Sequence, residues 1–326
     1  MDDVASEAGV SRALVSLVMR DSPKVSERRR RAVLDAADRL GYRPNILARS
    51  LASQRTQTLG VLVNDLHNPF FSELVDGVEQ EAEKQNLQVL ILNGGRDSER
   101  EQKAIETFLQ FRVDGLVLVG SLLEDDHLAT AARQAPSVVV AAGWNDAGVD
   151  TITTDDARGA ALAVDHLVSL GHRRIVHLDG AQNTSAEVRR DGYVEAIRAH
   201  GLEPRVVLAG DDEDDAKDAI DWVVGEPDRP SAIFAFNDLV AAGALDRLDD
   251  LGLQVPGDIS LVGYDNTFIA DLHRLSLTTI NQPRVQMGRL AVSTLTRRIE
   301  NDVGETVRLR LEPELVLRGT TAPPPP

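Results

Sequence analysis

Residues 3–51 read DVASEAGVSRALVSLVMRDSPKVSERRRRAVLDAADRLGYRPNILARSL, and this stretch decides how the chain begins. Within residues 3–8, Val4 and Ala8 lie four apart, so one side of a short helix is apolar. Gly9 ends that helix because glycine takes the left-handed conformation at little cost. Val10 plugs the turn. Ser11 caps a second helix whose Leu14, Val15 and Val18 make a buried stripe, with Arg12, Ala13, Ser16 and Leu17 on the opposite face. Two short helices joined through a glycine are either an ordinary helical hairpin or a DNA-binding helix-turn-helix, in which the second helix offers its first turns to base edges. An arginine at the first exposed position suits a bidentate contact with guanine.

Working outward, Ser26 caps a third helix, and Val33, Ala36, Ala37 and Leu40 recur at helical spacing before Gly41 stops it. Four consecutive arginines, Arg28 to Arg31, cannot share one face; the run reads as a mainly solvated surface with one or two members reaching phosphate. Pro44 interrupts the chain, and Asn45 caps a segment, residues 46–52, too brief to be a stable helix alone.

Charge divides the 326 residues unevenly. Residues 1–60 hold 11 Lys+Arg against 7 Asp+Glu, a balance of +4, while the remainder holds 24 against 45, a balance of −21. A basic head on an acidic body concentrates polyanion binding in the head. Cysteine is absent, which excludes disulfides and thiol chemistry. The chain has no 18-residue apolar run and no secretory segment, so no membrane association and a soluble, cytoplasmic protein are expected.

From residue 58 the pattern alternates strand and helix. Apolar runs at 59–64, 88–92, 114–119 and 137–141 alternate with helical stretches near 71–86, 99–111 and 125–134. A second series has strands at 174–178, 205–208, 232–236 and 259–263, with helices near 157–170, 186–200, 215–224 and 238–250. Two consecutive βα series predict an α/β body of two doubly wound parallel sheets, with ligand at the carboxyl ends of the strands.

The head resembles that of the lactose-repressor (LacI/GalR) family of bacterial transcription regulators. The likeness is carried by Asp3-Val4-Ala5, Ala8-Gly9-Val10-Ser11, Val15-Ser16, Val25-Ser26, Gly41-Tyr42-Arg43-Pro44-Asn45 and Ala48-Arg49-Ser50-Leu51-Ala52. It continues through Asn68-Pro69-Phe70-Phe71, His166-Leu167, Leu170-Gly171-His172, Asn237-Asp238, Gly263-Tyr264-Asp265-Asn266, Leu277-Thr278-Thr279-Ile280 and Gln282-Pro283. The resemblance implies an all-α helix-turn-helix head at 1–44 and a hinge helix with linker at 45–57. A periplasmic-binding-protein-like core follows, its N-subdomain at 58–154 and 282–311 and its C-subdomain at 155–281 and 312–319. The chain crosses between them near 154–156, 280–283 and 311–313, and residues 320–326 are expected to be a disordered tail. With no leucine heptads there, the expected assembly is a homodimer.

By the same resemblance Ser11, Arg12, Ala13, Ser16 and Leu17 belong to a recognition helix, and Asn45, Ala48 and Leu51 to the hinge contacts. Leu51 is the leucine that wedges into the minor groove, where an apolar, unbranched-at-Cβ tip is needed. The chain departs from the family pattern with Leu14 for a usual threonine, Leu17 for a usual arginine, and Met19-Arg20 for Leu-Asn. Leucine at 17 cannot hydrogen-bond a base, so the operator need not match the family's usual one. Only Met1 and Asp2 precede Asp3, where the family pattern reaches back to a capping threonine, so a weak first helix is expected.

Each expected effector contact in the cleft has a plainer rival. Arg189 matches a family arginine that grips effector hydroxyls or carboxylate, with Arg190 beside it as the surface alternative. Asp265 follows a strand and either contacts effector or caps the next turn. Asn237 caps a helix, with its amide as a further candidate to face ligand. Asn68, Phe70 and Phe71 follow the first strand, the two rings either stacking on a sugar or divided between cleft and core. Asp155 either accepts sugar hydroxyls or caps the following helix, Gln282 approaches from the third crossover, and Asp212 lies in an acidic run, residues 211–215, that otherwise reads as a solvated helix cap. That run lacks the spacing and glycine of a calcium loop, so no metal is expected there.

No phosphate loop ending in Gly-Lys-Ser/Thr, no Gly-x-Ser-x-Gly elbow and no His-Glu metal pair is present, so no cofactor and no enzymatic reaction are expected. The reading is a ligand-responsive transcriptional regulator, with operator double-stranded DNA and a sugar-like effector as partners. A solute-binding protein and a regulator with a degenerate cleft are the alternatives; the DNA-binding head argues against the first, and the polar residues at 189, 237 and 265 against the second.

Overall fold

The computed structural model describes residues 1–19, 22–42, 55–143, 148–180, 184–300 and 304–325. The chain divides into two compact units, Met1–Thr56 and Gln57–Pro326.

The first unit holds α1 (Asp2–Glu7), α2 (Arg12–Met19) and α3 (Glu27–Arg39). Val4, Val15, Val18, Val25, Val33, Ala36 and Ala37 form its core. Gly9 and Gly41 end helices at φ +62° and +61°, the left-handed values expected at those positions. Ser11 caps α2 by accepting the Leu14 N–H at 3.2 Å. Met1 stands at the start of α1 without a side-chain cap.

The second unit contains two six-stranded sheets. The first has the order β11-β5-β4-β3-β1-β2, built from β1 (Thr58–Val63), β2 (Gln88–Asn93), β3 (Gly115–Val119), β4 (Ser137–Val140), β5 (Asp150–Thr154) and β11 (Arg308–Leu311). The second has the order β12-β10-β9-β8-β6-β7, built from β6 (Ile175–Asp179), β7 (Val206–Leu208), β8 (Ala232–Ala235), β9 (Ser260–Asp265), β10 (Thr278–Asn281) and β12 (Glu314–Val316). Neighbouring strands run parallel except β12, which is antiparallel to β10. The intervening helices are α4 (Pro69–Lys84), α5 (Ser98–Gln110), α6 (Asp125–Gln134), α7 (Asp156–Ser169), α8 (Thr184–Ala199), α9 (Glu213–Gly225), α10 (Asp238–Asp250) and α11 (Arg284–Ile299).

Strands β1, β3, β4, β8 and β9 are buried almost throughout, which is why they read as unbroken apolar runs. Helix α11 lies against α4 and closes the first core with Met287, Ala291, Val292 and Leu295. Glycine is required at that crossing, because a Cβ on Gly77 would collide with the Val285 carbonyl and one on Gly288 with that of Leu74. The strand order reverses between β1 and β3 in one sheet and between β6 and β8 in the other. Loops after the strands on either side of a reversal diverge and leave a crevice.

The disordered tail expected from residue 320 is corrected by the structure. Thr320 is buried; its hydroxyl donates to the Leu261 carbonyl at 2.7 Å and accepts the Thr278 N–H at 2.9 Å. The Ala322 N–H reaches Ser260 Oγ at 3.0 Å, and the Ala322 carbonyl lies 2.9 Å from His172 Nε2. Hydroxyl groups, invisible to a reading of apolar content, fasten this proline-rich end. His166 and His172 serve it too, His166 through Thr321 at 3.0 Å.

Candidate functional site

The carboxyl ends of both sheets face one cleft, with about 750 Å³ of empty space counted out into its open mouth. Loops on either side of both reversals supply its walls: Asn64 and Asp65 after β1, Gly120 and Ser121 after β3, Arg189 on α8 after β6, and Phe236 and Asn237 after β8. Of the residues expected from sequence, Asn68, Phe70, Phe71, Arg189, Asn237, Asp265 and Gln282 all line it.

Arg189 is the centre of the polar network. Its Nε donates to Asp156 at 2.8 Å and its Nη1 to the Phe236 carbonyl at 2.9 Å, and Asp265 lies 3.8 Å away. The guanidinium sits 3.7 Å from the Tyr264 ring centroid and 4.8 Å from that of Phe236. Burial opposes its charge, but Asp156 and its other neighbours outweigh burial and raise its pKa above the ordinary range. Arg190, the surface alternative, instead pairs with Asp179 at 3.0 Å outside the cleft lining.

Asp265 accepts from Gln282 Nε2 at 2.7 Å and has φ +106°, a backbone value that strains a residue with a Cβ. Burial pushes its carboxyl up, and buried Asp238 nearby pushes it further, against the pull of Arg189. Asp238 is itself raised by burial although it accepts from Thr267 and Thr279. Asp156 is the nearer partner of Arg189, at 2.8 Å against 3.8 Å for Asp265.

Phe70 belongs to the first core while also lining the cleft, and half-buried Phe71 meets it edge to face at 5.2 Å. Asn68 caps α4 by accepting the Phe70 N–H. Asn237 caps α10 through Oδ1 and donates its amide to the Asp211 carbonyl at 2.9 Å, so its polar atoms already hold the wall together.

Two expected contacts are displaced by one residue. Asp155 caps α7, accepting the Arg158 N–H at 3.0 Å, and does not line this cleft; Asp156 does. Asp212 caps α9 through the Asp215 N–H at 3.1 Å and pairs with Arg96 at 2.8 Å, while Asp211 lines the cleft. In both cases the cap carboxylate is occupied by its own helix and the adjacent aspartate reaches the lining. Sequence reading also missed Asn64, Asp65, Arg96, Ser121 and Ser185. The strand-end position of Asn64, Asp65 and Ser121 is the signal that finds them.

In the head, Ser11, Arg12 and Ala13 are exposed on α2 and Ser16 is half-buried. Leu17 departs from the expected exposed face, since it packs against the head's core. Arg12 lies 3.6 Å from Asp2, with both side chains largely exposed. Asn45, Ala48 and Leu51 lie outside the described residues.

Two family models match the chain. Residues 1–45 fit the bacterial regulatory proteins of the lacI family, and residues 56–315 fit the periplasmic binding proteins and sugar binding domain of the LacI family. The chain belongs to the LacI family. It is similar to the HTH-type transcriptional regulator GalR of Escherichia coli strain K12, with 37% identity over 99% of this chain and 95% of that protein. Among solved LacI-family structures it resembles the lac repressor dimer bound to operator and the anti-inducer ONPF, with a TM-score of 0.88 and 28% identity over 98% of each chain. It also resembles the transcriptional regulator CelR in complex with cellobiose, with a TM-score of 0.75 and 31% identity over 98% of each. Membership makes this chain a ligand-responsive, DNA-binding transcriptional regulator.

Proposed function

We propose that the chain is a repressor that binds a palindromic operator as a homodimer and releases or tightens on it when an uncharged sugar occupies the cleft. The observation that carries the ligand class is charge matching. Both guanidinium groups of the lining are already paired, Arg189 with Asp156 and Arg96 with Asp65 and Asp212. A phosphate or carboxylate would have to displace these carboxylates and face Asp211 as well. Hydroxyl groups meet no such opposition, because carboxylates, the unpartnered Asn64 Oδ1 and the Ser121 oxygen are all acceptors. The Ser121 hydroxyl already donates to buried Glu101 at 2.7 Å. The Phe71 ring supplies an apolar face for the C–H side of a sugar.

Ser11, Arg12, Ala13 and Ser16 are the proposed readers of each half-site, with Leu17 limited to packing or a thymine methyl. Asn45, Ala48 and Leu51 are proposed as hinge contacts on the strength of the sequence alone. Cellobiose in the related CelR structure supports a sugar as the ligand class.

The test is thermal melting of the full chain against matched pairs of free sugars and their phosphates, together with nucleobases. At about 100 times its dissociation constant a cognate ligand adds roughly 2.7 kcal/mol of apparent stability. A free sugar that stabilises while its phosphate does not supports the reading; stabilisation by phosphates or nucleobases without any by free sugars refutes it.

A further inference from the structure

Arg96 follows β2 and Asp212 follows β7, and these strands are the outermost of their sheets. The three crossovers between the sheets leave from the opposite edges, through β5, β10, β11 and β12. Five strand spacings of about 4.8 Å separate β2 from β11, so the lip carrying Arg96 lies roughly 24 Å from the hinge line. At that radius a rotation of about 10° parts the lips by ~4 Å, enough to break their contact.

Across those lips Arg96 Nη2 donates to Asp212 Oδ2 at 2.8 Å, while Arg96 Nε is 3.5 Å from Asp65 Oδ2. Asp65 follows β1, the neighbour of β2, and moves with Arg96 when the cleft opens; Asp212 does not. The root of the arginine is fixed at the lip, since its backbone N–H donates to the Asn64 carbonyl at 3.1 Å. Asp212 is fixed as well by its cap on α9.

We propose that Arg96 is a two-position latch, held by Asp212 when the cleft is closed and by Asp65 when it is open. Opening then leaves the guanidinium paired with Asp65, while the Asp212 carboxylate keeps its cap N–H and turns to water, so the latch biases the cleft and does not lock it. Side-chain exposures of 38% for Arg96 and 30% for Asp212 put the bias in the open-to-closed ratio at roughly 1.5- to 5-fold. The ligand therefore acts on an equilibrium that the latch shifts toward closure, and its preference for one state decides how far the head responds. The latch goes beyond the assignment of the cleft to an effector and is read without ligand, so its failure leaves that assignment standing.

The absence of native cysteine allows two labels to be placed cleanly. In the full chain, Lys103→Cys and Asp218→Cys put neutral spin labels on exposed helix positions of the two halves, diluted with excess unlabelled chain. Pulsed dipolar spectroscopy then reads the open and closed distances. Asp212→Asn is expected to raise the open-to-closed ratio 1.5- to 5-fold while keeping the α9 cap, because asparagine caps as well as aspartate. Arg96→Gln removes both contacts without touching any cap and should raise the ratio less than Asp212→Asn does. Asp65→Asn is expected to lower the ratio, and about 1 M salt, which screens both pairs, should act as Arg96→Gln does. Shifts of Asp212→Asn and Asp65→Asn in the same direction, or no shift in either, overturn the latch.

Discussion

Arg189→Met removes a buried guanidinium and leaves the rest of its network in place. Asp156, 2.8 Å from Nε, then has no cation, and the Phe236 carbonyl loses a donor at 2.9 Å. Arg189 and Asp156 are both nearly buried, so the orphaned carboxylate gains little water. Breaking a buried pair in this way costs about 3–5 kcal/mol. For a unit of this size each kcal/mol moves the melting temperature by about 2–4 °C, which gives a fall of roughly 6–20 °C. Arg189→Lys should recover little, because an ammonium cannot serve two acceptors in one plane and stack flat on the Tyr264 ring. Adding Asp156→Asn to Arg189→Met should restore part of the loss, so that the double variant is more stable than the sum of the two singles by about 1–3 kcal/mol. The assay is calorimetric melting of the four proteins at one pH and salt. Melting of Arg189→Met within 2 °C of the parent (about 1 kcal/mol), or strict additivity in the double variant, would refute the claim that Arg189 organises the cleft.

The raised carboxyls predict a pH dependence of definite sign. Asp265 and Asp238 hold protons to higher pH when folded than when unfolded, so the stability they contribute is complete below about pH 4 and lost as pH rises toward about 7 for Asp265. Melting temperatures from pH 5 to 8 should therefore decline less in Asp265→Asn than in the parent. Gly77→Val should cost about 1–3 kcal/mol or more by forcing α4 away from the Val285 carbonyl, read as a lower urea midpoint. Thr320→Val should cost about 1–3 kcal/mol in the same assay by leaving the Thr278 N–H without its acceptor, whereas Thr320→Ser should stay near the parent.

The head and the buried strands were legible because their signals are local. Gly9 and Gly41 end helices, Ser11 caps one, and β1, β3, β4 and β8 are apolar on both faces. Strands β5 and β10 escaped notice because DTITT and TTIN are threonine-rich and not apolar runs, and β11 and β12 because an edge reading RLRL alternates charge with leucine and a three-residue strand has no period to detect. Seven of the nine expected contacts line the cleft, and the other two lie one residue away. Asp155 and Asp212 are the positions the resemblance points to, yet both carboxylates accept from their own helices, which only the backbone path into each helix determines. Arg96 lies in a loop without a motif, and its role depends on two strands, β2 and β7, becoming opposite lips, a fact of topology and not of neighbouring sequence. The carboxyl-terminal end was misread for a different reason. Its proline content suggested disorder, but Thr320, Thr321 and Ala322 bind the sheet through hydroxyl and backbone hydrogen bonds.

The central claim is that occupancy of the cleft and operator binding by the head are coupled. Operator DNA selected from a random pool by the full chain and a sugar identified by thermal melting allow both affinities to be measured by calorimetry, each in the absence and presence of saturating partner. Linkage requires the sugar to change operator affinity by the same factor as operator changes sugar affinity, and factors of about 5–150 are typical of such coupling. The account predicts equal factors that depart clearly from one. A sugar that binds free and operator-bound protein with the same affinity would contradict it.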